Sequence, residues 1–369
     1  MAARPATRTV RERPAETVQS RPPVRDLSRG PASFRIDWDV RPSFDFVFSL
    51  WDDVGETDDL PAADREWVAQ SKAAMPADVA AKFTRLFDSG ICMNAATIAV
   101  DKPEIRTARD LVTAVEATSY KDVIRGTFEG HHDEPGLSEL VERALDGDDT
   151  ALPAVAELID DYKRDARLEI LREPEKAATD LIDVLTFWAG VYTPIESRVG
   201  DILERDYDLR AADRETLAPV DLIERTTGGI RWLPEAGVRR VILAPSYFSR
   251  PYNFLMNSAD WRLFGYPVSD DALEANDPLA APQSVVRLHR ALGDETRLRI
   301  LKLLAGRDLY LTEIAQQLDL SKPTIKHHLA LLRSAGLVTI TESGTVVYYS
   351  LRRNRLDDAS ADIKRFLIG

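Results

Sequence analysis

The sequence predicts a mainly helical chain with small β elements, an α+β protein in which a long helical body precedes a separate C-terminal module. Three observations carry this. Apolar residues recur at helical spacing from Leu60 to about Thr226. Period-two alternation is confined to short runs, chiefly near residue 34 and after residue 337. Residues 269–282, rich in Asp, Ala and Pro, read as a linker that divides the two parts.

The first 32 residues carry many arginines and prolines and almost no large apolar side chains. Such a composition cannot bury a core, so a disordered tail is expected there. The body then spans 33–268, a mostly helical sensing or interaction domain with aromatic-rich strand segments. Phe34, Ile36, Trp38 and Val40 alternate with Arg35, Asp37 and Asp39, which predicts a strand. Helices are predicted at 76–87, 107–118, 152–171 and 174–188. In the last of these Ala178, Leu181, Ile182, Leu185 and Trp188 fall on one face. Thr226, Thr227, Gly228 and Gly229 read as a turn. Val238, Val241, Ile242 and Leu243 then predict a buried strand ended by Pro245.

Residues 283–369 hold the most readable pattern. Leu298, Ile300, Leu301, Leu303 and Leu304 make a broad apolar stripe, with Arg297, Arg299 and Lys302 left facing out. Thr312 is the expected N-cap of a short helix closed by Leu318, and Asp319 and Leu320 supply a turn. Ser321 suits the next N-cap, and Pro323 is tolerated only in a first turn, so a second helix must start there. Ile325, Leu329, Leu331 and Leu332 face inward, and Gly336 stops the helix. Residues 337–341 and 346–351 alternate as a hairpin around Glu342, Ser343, Gly344 and Thr345.

Helix, tight turn and second helix form the arrangement that offers a recognition helix to the major groove. The candidate DNA contacts are the cap Ser321, then Lys322, Thr324, Lys326 and His327, with Arg333 one turn later. Short polar side chains at a helix N-terminus approach base edges, and its N–H groups favour phosphate. Lysines add attraction that does not depend on sequence. Ser343 and Thr345, at the hairpin tip, are the expected wing contacts to backbone or minor groove.

The order of these elements resembles the winged helix-turn-helix of the ArsR (arsenic-repressor-like) family of bacterial transcriptional regulators, over roughly the last quarter of the chain. The resemblance implies a dimeric, repressor-type regulator of double-stranded DNA with an imperfectly palindromic operator. Dimerisation would use the flanking helices, through Val285, Val286, Leu288 and Leu292 before the motif and Leu356, Ile363, Phe366 and Leu367 after it. Metal-sensing members commonly carry cysteines in the helix before the recognition helix. The matching residues here, Leu309, Tyr310, Leu311, Thr312 and Glu313, include no thiol, and the closing helix has Asp357, Asp358 and Asp362 but no histidine. No metal and no cofactor are therefore expected, and the effector should be a small organic molecule or a partner.

Charge agrees with this division. Residues 283–369 hold 14 Lys and Arg against 9 Asp and Glu, which leaves 34 against 52 of the chain's 48 and 61 for the rest. An acidic body with a basic end would meet nucleic acid only through that end. One cysteine, Cys92, excludes an internal disulfide framework. No signal peptide or apolar spanning run is read, so a cytoplasmic protein without a membrane partner is expected.

No P-loop, GxGxxG, HExxH or CxxC pattern occurs, and the expectation is a regulator without catalytic residues; the alternative is an enzyme with a fused DNA-binding module. His131 and His132 beside Asp133 and Glu134 read as a solvated loop rather than a metal site. Two aromatic clusters remain. One holds Phe34, Trp38, Phe44, Phe46, Phe48 and Trp51, the other Tyr247, Phe248, Tyr252, Phe254, Trp261, Phe264 and Tyr266. They read either as strand segments meeting in one core, or as an effector pocket built by Tyr247, Phe248, Tyr252, Phe254 and Trp261 beside the linker.

Overall fold

In the computed structural model the described residues are 34–51, 54, 59–131, 134–159, 163–273, 281–343 and 346–368. The expected tail, most of the linker, His132, Asp133, Gly344 and Thr345 lie outside them. Strand β1 (Arg35–Trp38) leads into helices α1 (Pro42–Phe48), α2 (Ala62–Ala73), α3 (Ala77–Phe87) and the one-turn α4 (Ile91–Asn94). Then come α5 (Ala108–Ala117), α6 (Tyr120–Gly126), α7 (Leu137–Leu145), α8 (Leu152–Leu158) and α9 (Arg164–Arg172). Helix α10 (Pro174–Leu209) has 36 residues, a length of about 54 Å. Helices α11 (Ala211–Thr216) and α12 (Pro219–Thr226) return the chain to β2 (Ile230–Arg231), β3 (Arg240–Ser246), β4 (Phe254–Asn257) and β5 (Trp261–Pro267).

The expected helices at 76–87 and 107–118 form, the second capped by Thr107, whose hydroxyl accepts from the Asp110 amide at 3.1 Å. The expected 152–171 helix is instead two, α8 and α9. The expected 174–188 helix runs on to Leu209 through Pro194, because its inward stripe continues in Tyr192, Val199, Ile202 and Leu203. Helix α10 is the spine on which α3, α5 and α6 pack.

The body's sheet has the order β1-β3-β5-β4, with β1, β3 and β5 parallel and β4 antiparallel at the edge. Parallel strands buried on both faces read as continuous apolar runs, and β3 shows why. Ile242 and Ala244 enter the main core against α1 and α10, whereas Val241 and Leu243 enter a smaller cluster with Ile223, Ile230, Trp232, Phe264 and Tyr266. Pro245 does not end this strand, contrary to the sequence expectation; it pairs with Tyr266 of β5. The Asp39 amide bonds the Leu243 carbonyl at 3.0 Å, and the next bond on that side would need the Pro245 nitrogen. Proline therefore stops pairing with β1 and leaves the β5 side intact.

Residues 42–48 depart further from expectation. Phe44, Phe46 and Phe48 belong to a helix, α1, not to a strand, and all three are fully buried. A helix buried on every side has no polar face to reveal its period. The two aromatic segments do meet in the interior: Phe48 stacks on Phe254 at 4.6 Å, and Trp38 meets Tyr266 edge-on at 5.9 Å. Gly265 permits the first contact, since a Cβ there would lie 2.5 Å from the Phe48 ring.

Asp45 ties these parts together. Fully buried on α1, its carboxylate accepts from the Ser246 hydroxyl, from the Tyr247 and Phe248 amides at 2.6 and 3.0 Å, and from the Tyr192 hydroxyl at 2.9 Å. Burial pushes this carboxyl above its ordinary pKa while the four donors pull it back. One side chain thus joins α1, α10 and the end of β3.

The C-terminal module consists of α13 (Gln283–Leu292), α14 (Glu295–Leu304), β6 (Leu309–Tyr310), α15 (Leu311–Leu318), α16 (Lys322–Ser334), β7 (Val338–Ser343), β8 (Val346–Leu351) and α17 (Arg353–Ile368). It has its own core, in which Leu288, Ile300, Leu304, Ile314, Ile325, Leu329 and Leu332 are central. Leu298, expected in the buried stripe of α14, is 48% exposed. The stripe is narrower than it read, with Ile300, Leu301 and Leu304 buried. Arg297, read as outward, folds back onto the carbonyls of Ala291 and Arg290 at 2.8 and 2.7 Å.

The module is not joined to the body by its linker alone. Its sheet has the order β2-β7-β8-β6, so a body strand pairs in parallel with the wing, Ile230 opposite Ile340 and Arg231 opposite Thr341. That covers an edge of β7 that a free module would expose. The first linker residues also belong to the body, the Ser269 amide donating to Asp206 at 2.7 Å and the Arg205 guanidinium to the Ala272 carbonyl at 2.9 Å. Among the described residues no helix is long and apolar enough to cross a membrane.

Candidate nucleic-acid interface

Helix α15 begins at Leu311, two residues earlier than a Thr312 cap would give. β6 pairs with β8 and holds Tyr310 extended, and the Glu313 carboxylate accepts from the Tyr310 amide at 2.9 Å. The turn to α16 passes through Asp319, whose φ of 55° is left-handed, a conformation Asp tolerates better than most residues. Ser321 then caps α16 as expected, its hydroxyl accepting from the Thr324 amide at 3.2 Å. Pro323 sits in the first turn. The helix ends before Gly336, whose φ of +70° fits the left-handed stop that glycine favours.

That capping decides which side chains point out. Ile325, Leu329 and Leu332 are buried, while Ser321, Lys322, Thr324, Lys326 and His327 are exposed together on the opposite face of the helix. The Thr324 hydroxyl lies 2.7 Å from the Ser321 hydroxyl, which holds the exposed side chain in place at the start of the helix, with its methyl group and free hydroxyl capacity open to a base edge. His328 turns inward, its ring largely covered and its Nδ1 3.9 Å from Asp294; burial lowers its pKa from the ordinary value. The hairpin pairs its strands as far as Ser343 opposite Val346. Its base is clamped by Tyr348, whose ring lies 4.3 Å from that of Tyr310. Thr345 and the Ser343 side chain lie outside the described part of this tip.

Arg333 does not join the outward group. It is half-buried and lines a cleft against the body with Gly228, Pro251 and Arg352. Between His327 and Arg333, nearly two helical turns, α16 passes from its outward part to the part the body covers.

The five aromatic residues expected to form an effector pocket are not brought around one cavity. Tyr247 and Phe248 are fully buried, Phe254 packs on Phe48 and Trp51, and Trp261 lies at the far end of β5. Phe254 and Trp261 are strand residues packed into the core, and Tyr247 and Phe248 fill the same core just after β3. Only Tyr252 lines the cleft next to the DNA module. Of the expected solvated loop, His131 contacts the Arg167 guanidinium.

Sequence reasoning missed a charged seam between body and module. Arg250, 4% exposed, donates to the carbonyls of Asp59 and Val268 at 2.9 and 2.6 Å and pairs with Asp270. Asp59 in turn pairs with Arg287 of α13, and Asp270 accepts from the Ser284 amide at 2.5 Å. These partners lie up to 228 positions apart, so no local pattern joins them.

Residues 294–339 match the model of the bacterial regulatory protein, arsR family. The transcriptional repressor SdpR of Bacillus subtilis is 40% identical over 70 residues, 19% of this chain and 78% of that protein. The transcriptional activator HlyU of Vibrio cholerae is 35% identical over 89 residues, 24% of this chain and 78% of that protein. A solved structure of HlyU covers 24% of this chain at 30% identity, with a TM-score of 0.20. Through its C-terminal helix-turn-helix, this chain belongs to the arsR family of bacterial regulatory proteins.

Proposed function

We propose that the chain is a transcriptional repressor that binds double-stranded DNA as a homodimer, with its acidic body governing when it binds. The exposed turn carrying Lys322, Thr324, Lys326 and His327 is the observation behind this reading, because α16 is otherwise anchored by a buried stripe and a cap. Ser343 and Thr345 would meet the backbone at the wing tip. The repressor sense follows the relative of higher identity, SdpR.

A homodimer is supported by α17, where Leu356 in its first turn and Leu367 and Ile368 at its end are 40%, 68% and 83% exposed. Leu288 of α13 is spent inside the module's own core and Val285 is also buried, so neither would serve the partner. A two-fold dimer presents two recognition helices about one DNA turn apart, so the operator is an imperfect palindrome. The effector is an organic molecule rather than a soft metal ion, since the module offers no thiol. The reading places the protein in the cytoplasm.

Selection of duplexes from a random pool by the full-length protein tests the proposal. The expected result is a two-fold motif with affinity that falls steeply with salt. Recovery of no motif, or of a monomer on DNA by light scattering, contradicts it.

A further inference from the structure

Between the Pro251 and Tyr252 turn of the body and helices α13 and α16 lies a cavity of about 280 Å³. Its walls differ in chemistry. Pro251, Tyr252, Ala291 and Leu331 give one apolar and aromatic side, while Arg287, Arg290 and Arg297 give a cationic one. The acidic group in the lining, Asp59, is already paired with Arg287. A second cavity of about 410 Å³ shares Pro251, Arg287 and Ser334 with the first, and brings Arg352 and Arg355 to the same seam. Arg287 stands where the two meet. Its Nε is buried without an acceptor, and burial together with the neighbouring Arg355 lowers its pKa to about 10. A buried donor left unpaired is costly, and an anion that reached it would offset both the missing acceptor and the crowded positive charge.

We propose that this cleft binds a small organic acid, its carboxylate toward Arg287 and Arg290 and its apolar frame against Tyr252 and Leu331. Inorganic phosphate would match only the cationic wall. Ligand pockets combine apolar walls with placed polar groups that fix orientation, and here four apolar residues face three arginines. The proposal rests on the regulator reading and gives it a site. A molecule held here touches the body through Tyr252, α13 through Arg287 and the recognition helix through Leu331. Those contacts change if the module shifts against the body, and a ligand moves an equilibrium only by such differential contact.

The test uses the full chain with benzoate, phenylacetate and hexanoate, against phosphate and chloride at matched ionic strength. At least one carboxylate should raise the unfolding midpoint and shift affinity for the selected DNA by about fivefold or more. Two variants locate the effect: Ser334→Trp fills the cleft, and Arg290→Glu reverses charge on an exposed side chain. Both should abolish the responses to acid and still bind DNA without it. The proposal is overturned if no carboxylate moves the wild-type midpoint, if phosphate acts as well as the acids, or if both variants respond like wild type. The midpoint is read without DNA, so a chain that binds acid but selects no DNA would lose the regulator reading and keep the site.

Discussion

Helices α16 and α1 make opposite use of their polar side chains. On α16 the polar groups of the first turns, Lys322, Lys326 and His327, are exposed opposite a single buried stripe. On α1 the one acidic side chain, Asp45, is fully buried and accepts from four donors on α10 and at the end of β3. An exposed polar face costs the fold little to keep and is available to a partner, whereas a saturated buried carboxylate is committed to the fold. The comparison assigns recognition to the module and architecture to the body's start, and substitutions on the two sides should differ accordingly.

The largest effect belongs to Asp45→Ala. It strips acceptors from Ser246, Tyr192 and two backbone amides at once. Denaturant unfolding should show a loss of about 3 kcal/mol or more, while protein that remains folded keeps its DNA sequence preference. A loss below about 1 kcal/mol would break the contrast. Gly265→Ala, which drives a methyl into Phe48, should cost about 1–3 kcal/mol of stability by the same measurement.

On the module side the expectation reverses. Thr324→Ala and His327→Ala should each cost about 1–3 kcal/mol of specific DNA affinity and leave the unfolding midpoint near wild type. Lys322→Ala should weaken binding to all sequences and lower the salt slope of the affinity by about one. Titration of binding against salt checks both, and a drop in stability instead of affinity would show that these side chains serve packing.

The smallest effect is a pH dependence at His328. Its folded pKa is held below the ordinary value by burial, so protonation favours the unfolded chain. Its contribution to stability is complete above about pH 6.5 and fades as pH falls through that value toward the folded pKa. Unfolding curves between pH 8 and 5, compared with those of His328→Gln, should show a slightly steeper acid loss in the wild type.

The same contrast explains what could be read in advance. Ser321, Pro323 and Gly336 mark α16 because caps and stops act on their own neighbours in sequence, and the module's inward stripe keeps its period beside a polar face. The interior of the body offers neither signal. Phe44, Phe46 and Phe48 alternate like a strand, yet they fill a helix packed on all sides. Arg333 misled for a related reason: helical spacing places it on the outward side, but the body of the same chain covers that end of the helix. The seam of Asp59, Arg250, Asp270 and Arg287 depends on tertiary contact between residues that no short window contains.

DNA reading by the outward turn of α16 is the part of the proposed function most open to direct test. Duplexes selected from a random pool by the full-length wild type, then titrated with the Thr324→Ala, His327→Ala double variant, address it most directly. The expected result is a two-fold motif whose affinity falls on the order of a hundredfold or more in the double variant, with folding unchanged. Equal affinity of both proteins for the selected sites would contradict it.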